Sequence, residues 1–485
     1  MAKIKDSSKF VRLDRELVGE ISNFLFALGN QFASVNNAGG AFDCFRYSVE
    51  LNPLNQPAVN NMGVLYNLTG NYEGAYRMFK EASRMVSTDI KAKIYQAEMA
   101  RKLGKLEESR NLLQIVYGLC PDDLEVLSSL SMLEYDLGNL NEALRLNDLV
   151  LEKVPSHPKA MLNRALINML NGQWAENWAS YEYCLSYSNN TRMKGKKMSE
   201  AWAGQEHPGG TLMVVSDQGS GDAIQMSRYL KEAKTLGKFG KLVFAGQPDL
   251  EPLLARVDGI DEFMPFGASP GMEVQAFSSL LGIMRVLQVT PDNCWREPHI
   301  LSDPKLDEVW SARIPRDPRF RGHVGVCWAG DPKHGNDHAR SFSAEHFMRL
   351  RDQFPDLRFY SFQVGSAVKQ LSADQRSINP IVDLGQHFRS FDDTASALKQ
   401  MDLLISCDTS IAHLAGSTGI PAVVLLPNPP EWRWLTSGIT SVWYDNVRLI
   451  RQDSPRDWVG SFQKLVDVMA EAFWSFDFAK CGGVK

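Results

Sequence analysis

A period of 34 residues runs through the N-terminal part of the chain and constrains its fold more than any other feature. Stacked on that period, Gly29, Gly63 and Ala97 share one column, Gly70, Gly104, Gly138 and Gly172 a second, and Ala41, Ala75, Ser109 and Ala143 a third. Phe45, Phe79 and Leu113 form a fourth column, and Pro53, Ser87, Pro121 and Pro155 a fifth. Small residues let two helices approach closely. A glycine between helices supplies a positive φ angle. Proline closes each unit because it cannot continue a helix. Each unit therefore reads as helix, tight turn, helix, proline-marked turn, and such units bury their apolar faces by stacking.

This is the tetratricopeptide spacing. The fullest unit is VNNMGVLYNLTGNYEGAYRMFKEA, residues 59–82, and four to five units fit between about residue 20 and residue 187. The last of them, from Met161 to Tyr187, is rich in aromatic residues (Trp174, Trp178, Tyr181, Tyr183) and reads as a cap or as the joint to the next domain. An array of this kind offers a concave face for an acceptor or partner protein; the other reading is a spacer or dimerisation arm, hence a homo-oligomer.

From Gly210 the pattern changes. TLMVVS (211–216) is a short apolar run that ends in the glycine-rich turn DQGSGD (217–222). AIQMSRYLKEAKTLG follows with helical spacing, then KLVFAG (241–246) as a strand, PDLEPLLARV as a helix and DEFMPFG (261–267) as a third strand. A second such region begins at His323, with strands HVGVCWAG (323–330), LRFYSFQ (357–363), DLLISCD (402–408) and PAVVLLP (421–427). Its helices are SAEHFMRLRDQF, DDTASALKQM, TSIAHLAGSTG and a final amphipathic one over 455–474. Strands alternating with helices predict two parallel-sheet lobes with helices on both faces and a cleft at the carboxyl ends of the strands.

At 485 residues, the chain exceeds one ordinary core. Its formal net charge of −5 gives no general electrostatic reason to bind nucleic acid. The small basic run Arg192, Lys194, Lys196 and Lys197 reads as a solvated connector. The opening residues MAKIKDSSKF lack the apolar core of a secretory signal, and no apolar run reaches the roughly 18 residues of a membrane span. Seven scattered cysteines without a CxxC pair suggest neither a disulfide framework nor a zinc knuckle. A reducing cytoplasm is the expected compartment. Cys327 and Cys407 fall in apolar runs and read as core.

Four segments carry chemistry. In DLLISCDTSIAHLAGSTGIPAVVLLP (402–427) a buried strand ends at Asp408 and a helix starts at once. The first free N–H groups, at Thr409, Ser410 and Ile411, with the helix dipole, suit a diphosphate, and His413 lies one turn inside. The plain alternative is a capped helix with a core histidine. In DQGSGDAIQ (217–225), Gln218, Gly219, Gly221 and Gln225 shape the turn, and Asp222 is either a general base facing the cleft or simply an N-cap. In CWAGDPKHGNDHARSF (327–342), Lys333, His334, Arg340 and Ser341 suit phosphate charge, while Trp328 either stacks on a base or packs in the core. In PNPPEWRWL (427–435), Trp432, Arg433 and Trp434 line the cleft or serve packing. No DxD pair or histidine cluster has metal-ligand spacing here, Asp392 and Asp393 reading as helix-start residues, so no metal and no cofactor are expected.

Together, DQGSGDAIQMSRYL, CWAGDPKHGNDHARSF, DDTASALKQMDLLISCDTSIAHLAGSTGIP and PEWRWL resemble bacterial tetratricopeptide-containing glycosyltransferases. The catalytic half is similar to the ADP-heptose:lipopolysaccharide heptosyltransferase family, and the layout resembles O-linked N-acetylglucosamine transferases. The resemblance implies a GT-B fold and an inverting transfer from a nucleotide-diphosphate sugar. By motif, Asp222 matches the family's base, and Asp408, Thr409, Ser410 and His413 match the residues that hold the donor. Two departures bear on donor choice: the family's VDT reads Cys407-Asp408-Thr409 here, and TSGITSVWYDN follows WRWL where the family has a charged stretch ending in DSPWYP.

The sequence thus predicts an all-α tetratricopeptide array over 1–190, a linker over 191–209, and two Rossmann-like α/β lobes. The first lobe, 210–315, is the acceptor side and the second, 316–485, the nucleotide-sugar side. The expected function is metal-independent glycosyl transfer to a hydroxyl of a protein, a glycan or a modified DNA base. The alternative is a repeat scaffold with an inactive sugar-nucleotide module. A dinucleotide oxidoreductase is disfavoured, because GxGxxG and the acidic residue after the second strand are missing.

Overall fold

The computed structural model describes residues 15–187, 191–193, 195–268, 271–332 and 334–474. Nine helices open the described chain: α1 (Arg15–Ser34), α2 (Ala38–Leu51), α3 (Gln56–Leu68), α4 (Tyr72–Met85), α5 (Ile90–Lys102), α6 (Leu106–Leu119), α7 (Leu124–Asp136), α8 (Leu140–Lys153) and α9 (Pro158–Leu170). They form the tetratricopeptide-type array that the period predicts, and each column has its physical cause. Gly70, Gly104, Gly138 and Gly172 sit at φ of 76, 75, 80 and 86°, the left-handed turn between paired helices. A Cβ on Gly29 would stand 2.6 Å from Phe45 Cε1, and one on Gly63 2.8 Å from Phe79 Cε1. Ala41, Ala75, Ser109 and Ala143 are wholly buried, as are Phe45, Phe79 and Leu113.

The chain divides into two compact units, Met1–Leu133 and Glu134–Lys485. The second unit contains the last helices of the array together with both α/β lobes. Trp174, Trp178, Tyr181, Trp432 and Trp443 form its joint, with Trp174 stacked on Trp443 at 5.0 Å and edge-on to Trp432 at 5.1 Å. Trp178 Nε1 donates to Val289 O at 2.7 Å. The aromatic tail of the repeats is thus a joint.

The first lobe has a parallel sheet of β1 (Thr211–Val215), β2 (Lys241–Gly246), β3 (Glu262–Pro265) and β4 (Ala276–Ser279) in the order β3-β2-β1-β4. The second has β5 (Gly322–Cys327), β6 (Leu357–Ser361), β7 (Val382–Asp383), β8 (Leu403–Cys407), β9 (Ala422–Leu426) and β10 (Val447–Arg451) in the order β10-β9-β8-β5-β6-β7, also parallel. β4, β7 and β10 are not legible in the sequence: two are short, and the third is the charged run VRLIR. The helix expected over PDLEPLLARV shrinks to a 3-10 turn, Pro248–Leu250, and one helical turn, Glu251–Leu254. The connector is also more than a solvated spacer. Met193 and Tyr187 pack on Val215, Ala245 and Met213 of the first sheet, Arg192 lies 4.7 Å over the Phe266 ring and Lys196 4.7 Å over Phe277. Part of a face predicted to carry helices is therefore covered by connector side chains. Lys194 lies outside the described residues.

Strand order places the site. In the first sheet the order in which strands are added reverses between β1 and β4, and in the second between β5 and β8, all of them remaining parallel. Such switch points leave a crevice beyond the carboxyl ends of the strands. The segments that leave β1, β5 and β8 there are 216–222, 328–341 and 408–410, of which Ser220–Asp222, Asp337–Arg340 and Ser410 are already helical.

Candidate functional site

In the first lobe, the loop after β1 is held from below by Asp217. This buried carboxylate accepts from Ser186 Oγ, from Gln218 Nε2 at 2.8 Å and from Leu280 N at 3.1 Å, tying the end of β1 to the end of β4. Burial pushes its pKa up. Gln218 is therefore turned back onto Asp217, while its carbonyl accepts from Arg192 and from Gln247 Nε2 at 3.2 Å. Gly219 caps the helix Ser220–Met226, and its N–H donates to Asp222 Oδ2 at 3.0 Å. Asp222 is thus not the N-cap but the third residue of the helix, reaching back to the N-cap amide with one oxygen.

In the second lobe, Thr409 is the N-cap of the helix Ser410–Thr418, without a side-chain bond into the helix. Its hydroxyl instead sits 3.3 Å from Ser406 Oγ. The N–H groups that open any helix lack intrahelical partners, so the amides of Ser410 and Ile411 carry the positive end of the dipole. His413 is buried, stacked on Trp434 at 5.3 Å, with Nδ1 3.0 Å from Tyr444 Oη. Burial, then the charges of Arg433, Arg228 and Arg340, keep it neutral, with its pKa well below the usual value.

These two loops meet. A Cβ on Gly221 would stand 3.0 Å from His413 Cδ2 and 3.3 Å from Ser410 Cα. Beside that contact, the Arg433 guanidinium donates through Nη2 to Asp222 Oδ1, through Nη1 to Glu431 Oε1, and through Nε to Gln225 Oε1 at 2.8 Å. Gln225 is fully buried, and its Nε2 has no hydrogen-bond partner among the described residues. The loop after β5 adds Arg340, whose Nη1 donates to Asp408 O at 3.0 Å, and Ser341, which accepts from Gly330 N at 3.1 Å. Gln363 pins the start of that loop, accepting from Trp328 N at 3.1 Å and Ala329 N at 2.9 Å. His334 stands on that loop, its pKa lowered first by desolvation and then by the Arg340 charge, with the carboxylates of Asp408 and Asp222 acting the other way.

Of the residues singled out in the sequence, Asp222, Gln225, Asp408, Ser410, His413, Arg340 and Arg433 converge at this meeting of lobes. Trp328 takes the packing alternative: its indole is fully buried against Phe347. Trp432 is likewise buried, its Nε1 donating to Tyr181 Oη at 3.1 Å. Lys333 lies outside the described residues. Asp392 and Asp393 do open a helix, Phe391–Leu398, where they bind Arg256 and Trp310 Nε1. Glu431 and Tyr444 were not singled out. Glu431 lies two residues from Arg433 and caps the turn that carries it, so their ion pair is local, whereas the contact of Arg433 with Asp222 needs the tertiary fold.

No family model matches the chain. It is 24% identical over 369 residues to Protein FlbA of Caulobacter vibrioides, a stretch covering 68% of this chain and 58% of FlbA. It is 32% identical over 90 residues to the human protein O-mannosyl-transferase TMTC1, covering 19% of this chain and 10% of TMTC1. The chain thus spans little more than half of one relative's length and a small part of the other's. Similar solved structures include MamA (14% identical, 37% of this chain and 98% of that one, TM-score 0.30). A second is YrrB, described as a TPR protein with an unusual peptide-binding site (22% identical, 34% and 86%, TM-score 0.28). No helix among the described residues is long and apolar enough to cross a membrane.

Proposed function

We propose that this chain is a GT-B-type glycosyltransferase whose tetratricopeptide array recruits a macromolecular acceptor. One observation carries the reading: the N-terminus of the helix Ser410–Thr418 meets the Gly221–Asp222 turn of the other lobe, which brings the open amides of a helix start close to a carboxylate. In the reaction this supports, an acceptor hydroxyl attacks the anomeric carbon of a nucleotide-diphosphate sugar. Its proton passes to Asp222 as the new carbon–oxygen bond forms. The bond from that carbon to the diphosphate breaks, and the leaving charge settles on the amides of Ser410 and Ile411, near Arg340. Neither metal nor cofactor is assigned a part. The match to an O-mannosyl-transferase spans 90 residues, fewer than the two lobes contain, and adds little to this reading.

One feature favours the scaffold alternative. Both Asp222 oxygens are engaged, by Gly219 N and by Arg433. A panel of nucleotide sugars, assayed for thermal stabilisation and for single-turnover hydrolysis or transfer, separates the readings. A transferase binds one donor and turns it over, and Asp222→Asn lowers that rate by about 100-fold or more with little change in donor affinity. Donor binding without turnover, or turnover untouched by Asp222→Asn, removes the assigned mechanism.

A further inference from the structure

We propose that Glu431 is a positioning residue for Asp222, acting across the two lobes through Arg433. The inference rests on the transferase reading only for its catalytic consequence; the linkage itself stands on geometry.

Arg433 is held on every side. Its Nη2 meets Asp222, its Nη1 meets Glu431, its Nε meets Gln225, and its guanidinium lies 4.4 Å over the Trp432 ring. Its side chain is 8% exposed, so these contacts are made largely out of water. Glu431 uses its second oxygen, Oε2, to accept from Arg433 N at 2.9 Å, which fixes the turn Trp432–Trp434 that carries the guanidinium. Asp222 has one oxygen tied to its own lobe and the other tied to Arg433. Removing Glu431 frees Arg433, and with it the orientation of Asp222.

Two carboxylates share one guanidinium here, so the charge on one sets what the other feels. Burial pushes Glu431 up to about 7, and the Arg433 charge does not cancel that effect. Asp408 at the end of β8 and Asp222 raise it further. The other titratable groups nearby are Tyr135, Tyr181 and Tyr444, all driven above the usual phenol range by burial and so neutral, and His413 and His334, both held below the usual imidazole value, by burial first and by neighbouring arginine charge second. When Glu431 is protonated, its hold on Arg433 weakens and the guanidinium is held by Asp222 alone. When Glu431 ionises, the guanidinium is fixed between the two carboxylates and Asp222 is held in place. Transfer therefore rises as pH climbs through about 7.

The test uses the full chain with carbon-13-labelled aspartate, the Asp222 carboxyl signal being identified by its loss in Asp222→Asn. Followed from about pH 5 to 9, that signal is expected to show an inflection near 7, to which burial pushes the Glu431 carboxyl up. The inflection should vanish in Glu431→Gln, with a melting temperature near that of the wild type. If that variant does not fold, Arg433→Lys takes its place, since it keeps the charge but loses the fork that joins both carboxylates. No inflection in the wild type, or one that persists in the variant, overturns the proposal. With the donor found by the panel, Glu431→Gln should be slower by roughly tenfold or more and flat across this pH range, while nucleoside diphosphate affinity holds. A wild type without turnover would sink the transferase reading, and the carbon signal would still decide the linkage.

Discussion

Gly221→Ala tests whether the two lobes meet in solution as described. Two effects oppose each other. Gly221 lies inside the helix Ser220–Met226, where alanine is favoured over glycine by about 1 kcal/mol. Against this, the new methyl carbon would stand 3.0 Å from His413 Cδ2 and 3.3 Å from Ser410 Cα. Neither neighbour yields easily. The imidazole is clamped between Trp434 at 5.3 Å and Tyr444 Oη at 3.0 Å, and Ser410 Cα is backbone at the start of a helix. Overpacking of this kind costs about 1–3 kcal/mol. The net expectation is a destabilisation of about 0–2 kcal/mol, seen as a melting shift of a few degrees at most for a unit running from Glu134 to Lys485. Calorimetric melting measures it, with nucleoside diphosphate binding as the second readout. Gain of about 1 kcal/mol would mean that helix propensity wins and that the two loops stand apart, refuting the closed geometry.

Three further outcomes are expected from the same contacts. Thr409→Ala with Ser410→Ala should weaken nucleoside diphosphate binding by about 1 kcal/mol per lost hydroxyl, with little loss of stability because Thr409 makes no side-chain cap bond; unchanged affinity in calorimetry rejects the donor site. Trp174→Ala should cost about 3–5 kcal/mol, because the ring is fully buried against Trp432 and Trp443; a chain started near Ser199 lacks this joint and should not fold, and a cost below about 1 kcal/mol in chemical denaturation would contradict the packing. Transfer should survive EDTA, since helix dipole and guanidinium groups are assigned the leaving charge; loss restored by manganese or magnesium would overturn that assignment.

Features under short-range control were legible in the amino-acid order alone. The 34-residue columns hold because each is enforced within a helix pair: a left-handed turn at Gly70, a ring such as Phe45 pressed on Gly29. The strands β1, β5, β8 and β9 are legible because apolar runs bounded by turn residues leave little else for the backbone to do. Asp222 and the 408–413 segment were legible because glycine and capping residues mark where strands stop and helices begin. The remaining features depend on long-range contacts. The charged run VRLIR becomes β10 because β9 offers it a paired edge, and the connector is held because Met193 and Tyr187 find an uncovered face of the first sheet. Trp328 and Trp432 are equally able to stack on a ligand or pack in a core, and only the space around each settles which. The Asp222–Arg433–Glu431 linkage joins residues 211 and two positions apart in the chain. The Glu431–Arg433 contact is made within one turn, but no local pattern encodes the meeting with Asp222, because that contact exists only once the two lobes have packed on one core.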